Sequence, residues 1–141
     1  MRSRVALALF LVVTACSAGG SDTVSLGGVT LIRHGGGDEY PSALGIGVLA
    51  VTDACVSLDG DGGDPAFVLW PPGFDLQEGP GGLMHVVDGS GDPVGAIGDP
   101  VTLGGGYMEL ETAQSLTDHS VPTLCRVSGE RYFIAGSVVE P

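Results

Sequence analysis

CVSLDGDGGDPAFVLW, residues 55–70, holds two short apolar runs on either side of a polar turn. Cys55–Leu58 and Phe67–Trp70 are of strand length and too short for helices. Between them, Asp59–Pro65 supplies the Asp and Gly residues that a hairpin connection needs for its unusual backbone conformations. The same alternation continues in both directions. Further apolar runs lie at Val29–Ile32, Val48–Val51, Met84–Val87, Val94–Ile97, Val101–Leu103 and Tyr132–Val139. Turn clusters separate them at Pro71–Gly73, Gly79–Gly82, Asp88–Pro93, Gly98–Pro100 and Gly104–Gly106. Only Met108–Thr117 resembles a helix, with Met108, Ala113 and Leu116 imperfectly spaced. Short strands at this spacing predict an all-β domain: a small antiparallel barrel, OB-like, with at most one short helix.

The N-terminus carries a different signal. Arg2 and Arg4 precede Val5–Val13, an apolar run of nine residues that is too short to span a bilayer and suits a secretory h-region. Val13-Thr14-Ala15-Cys16 then resembles a lipobox, in which the cysteine thiol takes the lipid. An ordinary signal peptide cut near Ala15 or Ala18 is the simpler alternative. It leaves unexplained why the one cysteine of the region follows the small Thr-Ala pair and precedes the polar, Gly/Ser-rich Ser17–Thr23. The expected organisation is a signal peptide over 1–15, a lipidated Cys16 with tether and arm over 16–43, and a β domain over 44–141.

Cleavage before Cys16 leaves 126 residues, enough for one domain with a modest core. That chain has Arg33, Arg126 and Arg131, no lysine and all 17 acidic residues, a net −14. So acidic a surface repels phosphate backbones and anionic headgroups, which argues against nucleic-acid binding. Membrane contact must then come from the lipid. With Cys16 committed to lipid, Cys55 and Cys125 form an even pair in an oxidising compartment. A bridge would close a loop of about 70 residues, worth roughly 4 kcal/mol in the chain-entropy model. Two free thiols or a metal site are the alternatives, and no C-x-x-C spacing favours the metal.

From Gly47 onward, several pieces resemble a set of small exported proteins and lipoproteins of high-GC Gram-positive bacteria, of uncharacterised function. They are Gly47-Val48-Leu49, Ala54-Cys55-Val56-Ser57-Leu58, Trp70-Pro71-Pro72-Gly73-Phe74, Val87–Gly91, Ile97–Val101, Leu103–Tyr107, Cys125 and the last strand. Ala54 departs from the pattern, which has glycine before the cysteine. The resemblance implies a β-barrel held by a Cys55–Cys125 bridge and brings no activity with it.

Candidate chemistry is sparse. Arg33-His34-Gly35 after a short strand is similar to the signature of histidine phosphatases, whose histidine attacks phosphorus. That family needs a doubly wound α/β domain, a second catalytic histidine and more arginines. Here glycine-broken strands follow, and a polar arm after a strand is the plainer reading of His34. Asp59, Asp61 and Asp64 invite a weak calcium site, yet the EF-hand spacing fails at Gly63, Asp64 and Trp70. His34, His85 and His119 show no metal-ligand spacing, and His85 reads as an outward-facing strand residue. No G-x-S-x-G or H-E-x-x-H is present. Trp70 and Phe74, with Tyr107, are read either as a closed barrel corner or as an aromatic ligand mouth. The expected function is a lipid-anchored, extracytoplasmic, non-enzymatic binding or envelope-structural module without metal or cofactor. Its expected partners are the membrane, through the lipid, and an envelope protein or small ligand. The alternative is a hydrolase acting through His34.

Overall fold

A computed structural model describes residues 22–37 and 40–139. Their ten strands are β1 (Asp22–Leu26), β2 (Val29–Arg33), β3 (Ala43–Thr52), β4 (Cys55–Asp59), β5 (Ala66–Trp70), β6 (Asp75–Glu78), β7 (Met84–Val87), β8 (Pro93–Ala96), β9 (Pro100–Met108) and β10 (Tyr132–Val138). The α-helix described, α1, spans Leu110–Leu116 and buries Ala113. The chain is therefore predominantly β, as the sequence predicts.

The opening pair of runs becomes β4 and β5, joined antiparallel through Ser57↔Phe67 and Leu58↔Ala66. Every residue of β5 is buried, which explains why this run is continuous and does not alternate. Its side chains still divide with period two. Ala66, Val68 and Trp70 join one core cluster, while Phe67 and Leu69 join the other. β10 divides in the same way: Phe133 and Ala135 face the first cluster, Tyr132 and Ile134 the second. The first cluster lies between the larger sheet and the three-stranded sheet β6-β7-β8, which contributes Leu76 and Val86. The second lies beneath α1 and the segment after it, through Ala113, Val121 and Cys125.

The sheet is mixed, which corrects the antiparallel expectation. Its order is β1-β2-β4-β3-β9-β10-β5, with β5 pairing again with β2 and β4. Neighbours thus lead from β4 through β3, β9, β10 and β5, and back to β4. Five strands in such a circuit cannot all alternate direction, so one ladder must be parallel. It falls at β5–β10, through Phe67↔Tyr132 to Leu69↔Ile134. β2 adds two more parallel ladders, to β4 at Thr30↔Cys55 and to β5 at Ile32↔Leu69.

Two further expectations change. Residues 22–33 belong to the sheet and not to a tether and arm: β1 and β2 form a hairpin, and Leu31 and Ile32 are fully buried core. Gly104–Gly106, expected as a turn, lies inside β9. There the missing side chains make room for neighbours. A Cβ on Gly105 would collide with the Ile134 carbonyl, and one on Gly106 would meet the Pro41 ring at 2.6 Å.

Candidate functional site

Each candidate residue can now be placed. Cys55 and Cys125 are joined in a disulfide with a Cα–Cα distance of 6.4 Å, and both are buried. The bridge staples the connection between β9 and β10 to the start of β4. Beside it the Tyr132 hydroxyl donates to the Cys125 carbonyl at 2.7 Å and accepts from the Val127 N–H at 2.9 Å. Burial pushes the Tyr132 phenol above its ordinary pKa. Ala54, the departure noted in the sequence, occupies the two-residue turn between β3 and β4 with Asp53. Its φ of 67° is a left-handed conformation that glycine adopts at less cost.

His34 is not on a polar arm. It is 1% exposed, at the end of β2. The Gly36 N–H donates to Nδ1 at 3.1 Å, so Nδ1 is the acceptor and Nε2 carries the proton. Nε2 then donates to the Ala135 carbonyl at 2.9 Å. Desolvation holds the ring's pKa below the ordinary histidine value, against the opposing pull of the Ala135 carbonyl. Both nitrogens are engaged in a neutral, buried ring, and neither presents a lone pair outward. Arg33 is engaged as well. Its Nε and Nη2 grip the Asp22 carboxylate, and Nη1 donates to the Phe74 carbonyl at 3.1 Å. The Arg-His-Gly motif here locks the β1–β2 hairpin to the rest of the sheet.

The three aromatic residues of the expected ligand mouth are not assembled around one opening. Trp70 is fully buried in the first core and stacks on Phe74 at 5.7 Å. Tyr107 is 48% exposed and meets Phe133 edge-on at 4.9 Å. Phe74 alone of the three lines a groove, of about 970 Å³. The groove runs between the Asp88–Pro93 turn and strands β3, β9 and β10, with exposed Ile46 and Val139 and core-facing Val94 and Val101 among its apolar walls. Asp88 at its rim accepts from the Ser90 and Asp92 N–H groups at 2.9 and 3.0 Å, which shapes the turn. No histidine, cysteine or arginine lines the groove, and its lining offers apolar contact, the Asp88 and Asp92 carboxylates and the Ser90 and Thr102 residues.

The remaining candidates stay apart. Asp64 approaches Arg131 at 3.6 Å on the surface. Half-buried His85 lies in β7 against Gly79, and His119 lies past α1. Among the described residues no three His, Cys, Asp or Glu side chains gather as a metal-binding group, Asp59, Asp61 and Asp64 included. Among them, too, no helix is long and apolar enough to cross a membrane. Cys16 and the segment 1–15 lie outside the described residues. Compared with known protein families, curated proteins and solved structures, the chain finds no match.

The groove is the feature that sequence reasoning missed. Its signal was present in Leu44-Gly45-Ile46-Gly47-Val48. Glycine at 45 and 47 leaves inward space for Phe133 and Leu58, and the apolar residues of that alternation point outward.

Proposed function

We propose that this protein is an exported lipoprotein, lipidated at Cys16 and held on the extracytoplasmic face of the cell membrane, that acts as a non-enzymatic binding or envelope-structural module. The observation that carries the reading is the division of labour among three cysteines. Two are consumed in a buried disulfide, a bond of oxidising compartments, and the third follows Val13-Thr14-Ala15. The apolar groove beside Phe74 supports binding of a small ligand or an envelope partner, since concave, mostly apolar sites are where such contacts concentrate. The engaged state of His34 and Arg33 weighs against a phosphoryl-transfer role. The likeness to small lipoproteins of high-GC bacteria belongs to the same proposal. So does a barrel, OB-like description of the larger sheet, which the return of β5 to β4 supports.

Cys16→Ser tests the anchor. Wild type and variant are expressed in a host that processes lipoproteins and then partitioned between detergent and aqueous phases. The expected result is wild type in detergent and the variant in water, because the apolar segment alone is too short to anchor the chain. Equal partitioning, with the signal removed from both, refutes the proposal.

A further inference from the structure

The turn between β4 and β5 carries chemistry that needs no metal. Three aspartates in the chain are followed by glycine: Asp59, Asp61 and Asp88. In an Asp-Gly pair the glycine nitrogen can reach the aspartate side chain, because no Cβ shields that nitrogen and the glycine backbone turns freely. Asp64, Asp92 and Asp99 precede proline, which has no N–H to give up. The chain contains no asparagine, so the related loss of ammonia from asparagine has no site.

The fold treats the three pairs differently. Asp59 closes β4, opposite Val48 on β3. The peptide unit that would have to rotate is wedged there. The Asp59 carbonyl oxygen lies 2.5 Å from the place of a Cβ on Gly47, and a Cβ on Gly60 would sit 3.3 Å from the Ile46 carbonyl oxygen. Asp88 is held by its own turn. Its Oδ1 accepts from the Ser90 and Asp92 N–H groups at 2.9 and 3.0 Å. Its N–H donates to the Asp92 carbonyl at 2.9 Å, and its carbonyl accepts from the Gly91 N–H at 3.0 Å. Asp61 has none of these restraints. It is exposed within the connection, and among the described residues neither its carboxylate nor the Gly62 N–H has a hydrogen-bond partner. A Cβ on Gly62 or Gly63 would meet nothing within 4 Å.

We propose that Asp61 is a site of self-modification, at which the Gly62 nitrogen closes on the aspartate side chain and leaves isoaspartate. The nitrogen bonds to Cγ as the carboxyl hydroxyl departs, and that hydroxyl leaves with the amide proton as water. Water then opens the cyclic imide. Addition at Cγ restores aspartate. Addition at the main-chain carbonyl carbon sends the chain through Cγ, one carbon longer, and turns the former main-chain carbonyl into the free carboxylate. One water leaves and one returns, so charge and mass are unchanged and no other reactant is needed. β4 and β5 pair as far as Leu58↔Ala66, and Gly60, Gly62 and Gly63 between them absorb the added length. The modified chain therefore stays folded, and the product accumulates in the native protein. This inference is independent of the lipoprotein reading above.

The test incubates the full folded chain in heavy-oxygen water at mildly acidic pH, well below its melting transition, so that each passage through the imide leaves one heavy oxygen. A parallel sample is unfolded in guanidinium chloride. Digestion, chromatography that separates isoaspartyl peptides, and fragment spectra place the label. The quantity read at each Asp-Gly pair is its uptake in the folded chain divided by its uptake in the unfolded one. At Asp61 this ratio should lie within about twofold of unity, as for an unrestrained loop. At Asp59 and Asp88 it should be at least about tenfold lower, because packing or hydrogen bonds must open first. Asp61→Glu, whose ring would need one more carbon, should remove most of the isoaspartyl product from the turn. A ratio at Asp61 no higher than those at Asp59 and Asp88, or a product that persists undiminished in Asp61→Glu, overturns the proposal.

Discussion

Replacing His34 by alanine removes a ring that ties three parts of the fold together. The Ala135 carbonyl, on a residue 1% exposed, loses the Nε2 proton and no water takes its place at no cost. A buried acceptor left without a partner costs about 1–3 kcal/mol. The Gly36 N–H loses Nδ1 as its acceptor, adding up to about 1 kcal/mol for a group that water can partly reach. The lost packing of the imidazole, including its contact with the Tyr40 ring at 5.3 Å, adds about 1 kcal/mol more. The expected loss is thus about 2–5 kcal/mol, a large share of the stability of a domain this size. Urea unfolding followed by far-UV circular dichroism measures it as a fall in midpoint at unchanged slope. The pH dependence gives a second reading. Burial depresses the folded-state pKa of His34, so its contribution is fully present above the unfolded value of about 6.5 and is lost as pH falls through the folded value. The slope there is at most about 1.4 kcal/mol per pH unit for this one proton. His34→Gln keeps a neutral donor and should flatten the profile between pH 7 and 5. A loss below about 1 kcal/mol in His34→Ala, or identical pH slopes in wild type and His34→Gln, refutes the buried neutral-histidine account.

Four further substitutions test the packing. Ala54→Gly should stabilise the protein by about 1 kcal/mol, raising the thermal midpoint by a few degrees, because φ of 67° strains an alanine and not a glycine; an unchanged or lower midpoint counts against it. Gly105→Ala should destabilise by several kcal/mol, about 3 or more, since its Cβ runs into backbone at Ile134 and no side chain can swing away; Gly104→Ala, which meets only the Ser137 hydroxyl, should cost far less, and equal costs in chemical unfolding refute the distinction. Trp70→Ala should cost roughly 3–5 kcal/mol for a fully buried ring; a stable variant with weakened ligand binding would return Trp70 to the role of a binding residue.

How much was legible beforehand depended on range. The apolar runs at 29–32, 55–58, 67–70 and 84–87 lie on strands, as does 132–139 up to Val138, because a strand's own residues must be apolar to be buried. β6, Asp-Leu-Gln-Glu, escaped because only Leu76 of its four residues is buried. β1 escaped because its Asp22 and Ser25 read as tether, and because Val24 and Leu26, its two core-packing residues, are only partly buried beside β2 and β6. Gly104–Gly106 read as a turn because a glycine's local preference is for turns. Ile134 and Pro41, 29 and 65 positions away, decide otherwise.

The sequence by itself determined the quantities that are local or additive: strand-length hydrophobic segments, turn chemistry, a charge that repels polyanions, and three cysteines of which two make a pair. Tertiary structure decided the contacts that add nothing to any local pattern. It made the circuit of strands mixed, because closing five neighbours forces one parallel ladder. It turned the Arg-His-Gly motif into a buried latch, because the groups that satisfy His34 lie on the Gly36 backbone and on β10. It separated Trp70 from Tyr107, and it opened a groove beside Phe74 whose walls come from four distant strands and one turn. Which groups meet depends on how distant segments pack, and packing is a property of the whole chain in space.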